Sequence, residues 1–317
     1  MRWKGRDRSA NVEDRRGSGG GFGRMGGGRL PPMRFPRGTG GGGGVRRAGG
    51  GSILLIVAVV LGLWVFAGIN PLQLLDMLSR EGGGGGSVIT APQQTPRSPE
   101  QAARDDERAQ FLSVVLAETE STWGDIFRQN GLDYEEPTLV LYSGATSTDC
   151  GFGQAAAGPF YCPLDRKLYV DLSFFDILAR QFGAPGDFAQ AYVLAHEVGH
   201  HVQNLTGVLE RYHSQRANMS EGRANAESIK VELQADCYAG IWAHAADRIG
   251  IVEDGDIREA LDAATAVGDD IMQRRQSGTV VPESFNHGTA DQRARWFETG
   301  YRSGDPGDCD TFSASRL

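Results

Sequence analysis

The stretch YVLAHEVGHHVQNL (Tyr192–Leu205) holds three of the chain's six histidines within six residues, two of them in the order His-Glu-x-x-His. On a helix, His196 and His200 lie four positions apart, so their rings project from one face, one turn apart. That spacing suits a single tetrahedral zinc ion, with Glu197 placed beside it to reach water at the metal. The competing reading is a histidine-rich turn of an ordinary core helix. A metal centre also needs a further ligand and groups that orient the imidazoles, and the rest of the chain must supply them.

VELQADCYAG (Val231–Gly240) offers both. Glu232 and Asp236 are again four apart, on a helical pattern whose neighbours Leu233, Ala235, Cys237 and Ala239 are apolar. Carboxylates in such surroundings need partners. Zinc for Glu232 and a ring N–H for Asp236 would satisfy both, against the alternative of a solvated acidic stripe. His201 points about 120° away from the mid-direction of His196 and His200, which makes it a packing or hydrogen-bonding residue. Cys237 lies about 140° round the helix from Glu232, which favours a structural bridge over thiolate ligation.

Charge divides the chain unevenly. Residues 1–51 carry 12 Lys/Arg against 3 Asp/Glu and 18 of the 45 glycines; the whole-chain charge of −8 then leaves −17 for residues 52–317. Such a basic, Gly-rich tail buries little apolar surface and is expected to be disordered. Its Arg/Gly composition lacks any folded nucleic-acid motif, so no nucleic-acid partner is expected; anionic lipid is the other candidate contact.

Ile53–Ile69 is the one long apolar run, 17 residues without a polar group, and no charge falls between Arg47 and Asp76. At 1.5 Å per residue it spans roughly 25 Å, and its uncharged flanks extend this to the ~30 Å of a bilayer core. A cleaved signal peptide is the rival reading, but signal cores are shorter and follow a short basic stretch. The expected organisation is a cytoplasmic tail (1–51), one transmembrane helix (52–70), a Gly/Pro-rich linker (71–97) and a folded domain (98–317). By the positive-inside rule the domain lies outside the cytoplasm.

Ser98 as N-cap, Pro99 at the first helical position and Gln101 three residues on predict a helix start. PTLVLYSG (137–144) and KLYVDLSFF (167–175) read as strands. Three long helical patterns follow, each stopped by glycine and separated at residues 211–227 by a polar stretch read as a mobile loop. The fold class is α+β: a small sheet and a mostly helical half. All four cysteines lie within the expected folded domain, residues 98–317, as disulfides of an oxidising compartment would. Cys150–Cys162 closes the short loop CGFGQAAAGPFYC, which leaves Cys237–Cys309. The alternative is four buried thiols.

The HExxH pattern with a downstream ExxxD is similar to the gluzincin type of metallopeptidase. Closer still, MRWKGR with NVEDRRG, CGFGQAAAGPFYCPLDRKLYVDLSFF, HEVGHHVQ, ELQADCYAGIWA and SFNHGTADQRARWFETGY resemble the bacterial family of neutral zinc metallopeptidases. That resemblance implies a zincin-like domain with one Zn2+ per chain at His196, His200 and Glu232, Glu197 catalytic, and a peptide or protein substrate. His287 resembles the histidine after the ligand helix in related membrane proteases and is the candidate oxyanion donor, with Arg293 next in line; its other reading is a helix cap. LYVDLSFF is the candidate edge strand for an extended substrate. The expected activity is membrane-anchored peptide hydrolysis, against a zinc-stabilised scaffold that lacks turnover. Nothing in the sequence fixes an oligomeric state.

Overall fold

The computed structural model describes residues 1–17, 98–154 and 158–317. The apolar run 52–70 and the linker 71–97 lie outside the described residues. Among the described residues no helix is long and apolar enough to cross a membrane.

The architecture is α+β. Strands β1 (Val12–Asp14), β2 (Thr138–Tyr142), β5 (Phe160–Cys162) and β6 (Lys167–Asp171) form a sheet in the order β1-β2-β6-β5. The first three in that order run parallel, and β5 is antiparallel to β6. A separate hairpin pairs β3 (Ala145–Thr148) with β4 (Gly151–Gln154). The helices are α1 (Pro99–Gln129), α2 (Ser173–Phe182), α3 (Asp187–Leu205), α4 (Val208–Arg216), α5 (Glu221–Arg248), α6 (Asp256–Ala266), α7 (Asp269–Ser277) and α8 (Ala290–Ser303).

Alternation along β2 decides how the sheet is covered. Leu139 and Leu141 join the main core with Trp123, Leu168, Phe188, Trp242 and Phe297. Val140 and Tyr142 face the other way, into a small cluster with Cys162 and Tyr169, as a period of two requires. Helix α1 begins as its sequence predicts, with Ser98 Oγ accepting from the Gln101 amide at 3.2 Å. Both disulfides form with the expected connectivity, Cys150–Cys162 and Cys237–Cys309.

Four expectations are corrected. The tail is not disordered throughout: residues 1–17 pack on the domain, and β1 pairs with β2 at Val12–Leu139, Glu13–Val140 and Asp14–Leu141. The folded unit therefore takes in residues 1–17 as well as those from Ser98 on. Its reason is charge complementarity, since Arg6 meets Glu118 at 2.6 Å, Lys4 meets Glu107 at 2.9 Å and Lys167 meets Glu13 at 3.0 Å. Second, the polar stretch 211–227 is mostly helical, because α4 buries Leu209 and Tyr212 and α5 starts at Glu221. Third, the helical pattern after Gly255 breaks in two at Gly268, where a Cβ would stand 2.4 Å from the Ala290 amide nitrogen. Fourth, β6 lies inside the sheet, its segment turning helical at Ser173, and the edge beside it is β5.

Candidate metal centre

Helices α3 and α5 approach so closely at Gly199 that a Cβ there would lie 2.9 Å from the Ala235 carbonyl oxygen. That contact brings the two four-residue spacings face to face. Glu232 Oε2 lies 3.3 Å from His196 Nε2, and Glu232 Oε1 lies 3.6 Å from His200 Nε2. A tetrahedral zinc with bonds of about 2.0–2.2 Å needs its ligand atoms about 3.3–3.6 Å apart. The donor set therefore fits zinc in both chemistry and spacing, and one donor atom from each of the three residues falls within a 4.8 Å group.

Both imidazoles are held in the tautomer that turns Nε2 inward. Asp236 Oδ1 stands 2.8 Å from His196 Nδ1, and Gln203 Oε1 stands 2.9 Å from His200 Nδ1. The Gln203 amide cannot turn over, since its Nε2 donates to the Val231 carbonyl at 2.7 Å and to Gln234 Oε1 at 3.0 Å. Each candidate ligand imidazole thus has its Nδ1–H committed to an acceptor, which leaves Nε2 free for a metal, the arrangement that orients metal-binding histidines. Burial favours a neutral His196, but Asp236 and Glu232 outweigh it and raise its pKa to about 10 in the metal-free centre.

Asp236, fully buried, is itself held by Arg293, whose Nε and Nη2 each lie 2.9 Å from its carboxylate. Tyr192 donates to the same carboxylate at 2.5 Å and accepts from Arg293 at 3.2 Å. Burial opposes ionisation of Asp236, yet Arg293 and His196 hold its pKa below the ordinary value. Helix α8 brings Arg293 in because glycines meet at its crossing with α5: a Cβ on Gly240 would lie 2.1 Å from the Phe297 oxygen, and one on Gly300 would lie 1.9 Å from the Cys237 oxygen. Arg293 is therefore committed to Asp236 and is no free oxyanion donor, a correction to its expected place behind His287.

Glu197 and His287 line the same cleft of about 870 Å³, together with His196, His200 and Glu232. His287 does not cap a helix; Thr289 caps α8 in a capping box with Gln292. Instead its Nδ1 lies 3.1 Å from Asp269 Oδ1, and the other oxygen of Asp269 accepts the amides of Asn286, His287 and Gly288. Burial lowers the His287 pKa but Asp269 outweighs it, for a net rise. Sequence reading missed Asp269, Gln203 and Tyr192. The i to i+3 spacing of His200 and Gln203 was the available signal for one of them.

His201 turns away from the cleft, as its angle on the helix predicts. It is fully buried, with Nδ1 3.0 Å from the Tyr161 hydroxyl and Nε2 2.6 Å from the Glu135 carbonyl oxygen. It pins the ligand helix to strand β5. Burial lowers its pKa to about 4, so the unfolded chain binds the proton more tightly. This group's contribution to stability is complete above pH 6.5 and is lost as pH falls towards 4. Substituting His201→Phe is expected to cost about 1–3 kcal/mol through the unpaired Glu135 carbonyl. The pH dependence of Tm between 4 and 6.5 should flatten in the same variant; an unchanged profile would exclude His201 as its source.

The family model described as "Putative neutral zinc metallopeptidase" matches residues 1–312. The chain belongs to this family. Among its relatives, the uncharacterized protein YpfJ of Escherichia coli K12 is 47% identical over 315 residues, covering 99% of this chain and all of the relative. Uncharacterized protein Rv2575 of Mycobacterium tuberculosis is 47% identical over 195 residues, 58% of this chain and 65% of that protein. No solved structure matches. Membership supports peptidase chemistry with zinc at the coarse level, and the family match begins with the N-terminal arm that the fold contains.

Proposed function

We propose that the chain is a zinc-dependent endopeptidase that cleaves extended peptide segments outside the cytoplasm. The observation that carries this reading is the convergence of His196, His200 and Glu232 at zinc spacing, in a cleft that also holds Glu197. A zinc ion held there supplies a Lewis acid that polarises a peptide carbonyl and makes nearby water acidic. Glu197 then takes the proton of the attacking water and delivers it to the leaving amine. His287, oriented through Nδ1 by Asp269, offers Nε2–H to the carbonyl oxygen as it gains charge.

Strand β5 supplies the substrate's backbone contact. It ends the sheet among the described residues, and Phe160 and Tyr161 line the cleft. An extended peptide adding to that edge would run past the ligand helix, since His201 ties Tyr161 to α3. The extracytoplasmic location rests on two disulfides, which persist in oxidising compartments.

A full chain purified in detergent and supplied with zinc is expected to cleave members of a quenched fluorescent peptide library. A chelator should abolish that cleavage, and added zinc should restore it. A folded, zinc-loaded chain that cleaves no peptide in the library would favour the scaffold reading.

A further inference from the structure

The N-terminal arm constrains how the chain runs relative to a bilayer. Residues 1–17 touch the domain along its length: the Arg2 amide donates to the Ile251 oxygen at 2.8 Å and the Ser9 amide to the Ser113 oxygen at 3.0 Å. Trp3 meets Phe111 edge-on at 5.5 Å, and Asn11 Nδ2 bonds Glu120 at 2.9 Å and Glu136 at 2.6 Å. The Leu139 amide donates to the Asn11 oxygen at 2.8 Å and the Arg15 amide to the Leu141 oxygen at 2.7 Å, which continues the β1–β2 ladder at both ends.

Paired strands lie about 4.8 Å apart, whereas a bilayer core separates its faces by ~30 Å. One passage through a membrane between residues 17 and 98 would leave arm and domain on opposite faces. The sequence of 18–97 contains one apolar run long enough to enter lipid, Ile53–Ile69, and no second run to bring the chain back.

We propose that the chain is held at a lipid bilayer with the arm, residues 1–17, and the domain together on one face of it, because the arm is hydrogen-bonded into the domain's own sheet. Only the identity of that face, the outer one, rests on the reading in Proposed function. The test uses the full chain in bacterial membranes with one added cysteine, Ala10→Cys in the arm or Gln215→Cys in α4, both exposed positions. A membrane-impermeant maleimide is applied to intact spheroplasts and again after permeabilisation. Membranes are also washed with alkaline carbonate.

The expected result is a chain that survives the wash and labels equally at both positions in intact spheroplasts. Labelling of Gln215→Cys with Ala10→Cys protected until permeabilisation would overturn the proposal, because arm and domain would then lie on opposite faces. Release of the chain by the wash would overturn the lipid contact. Protection of both positions until permeabilisation would uphold the common face and overturn the extracytoplasmic assignment instead.

Discussion

Replacing Glu197 by glutamine is expected to leave zinc content unchanged and to lower peptide hydrolysis by about 10²–10⁴-fold, the usual contribution of a positioned general base. Glu197 is 8% exposed and lines the cleft beside His196 and His200. It is absent from the convergent group formed by His196, His200 and Glu232, so its loss removes no ligand. Glutamine keeps the volume and the hydrogen-bonding reach but accepts no proton. The check is zinc per chain by elemental analysis beside kcat/KM on the peptide found in the library screen. Unaltered turnover in a zinc-replete variant would remove Glu197 from the mechanism.

The second large effect lies behind His196, in the buried Asp236–Arg293 pair. Asp236→Ala leaves the guanidinium buried and uncompensated, and breaking such a pair typically costs about 3–5 kcal/mol. His196 loses its orienting acceptor in the same step, for which a loss of about 10–100-fold in zinc affinity is usual. The two effects can be separated. Tyr192→Phe, Asp236→Leu and Arg293→Met together remove every polar partner of His196 Nδ1, so neither the carboxylate nor the guanidinium is left stranded and thermal stability should largely return. Zinc affinity should not, because no acceptor then faces His196 Nδ1. If zinc affinity recovered along with stability, the network would be a packing element and not a positioning device for His196. Denaturant unfolding and competition with a zinc indicator read the two quantities independently.

Local periodicity made the ligand positions legible. His196 with His200, and Glu232 with Asp236, each share a helix face by spacing alone, and apolar neighbours on α5 showed that its carboxylates need partners. Both disulfides followed from the short loop between Cys150 and Cys162 and from elimination. What spacing does not encode is which helix faces which, or how closely. Gly199, Gly240 and Gly300 are single letters in the sequence, yet they set the contacts of α3 and α8 with α5 on which the site depends. Arg293 therefore read as a free cation near the cleft, whereas the fold spends it on Asp236.

The same limit explains the arm. A basic, glycine-rich stretch carries no apolar period, so composition alone argued for disorder over residues 1–51. Its first 17 residues are ordered by a complementary surface from distant sequence: Glu107 and Glu118 on α1, and the open side of β2. By itself the sequence determined the candidate ligand trio, the α+β class and the cysteine pairing, because these rest on helix and strand geometry or on short loops. The tertiary structure decided the strand order, the acceptors behind each histidine and the packing of residues 1–17 on the domain, because these depend on contacts between segments far apart in the chain.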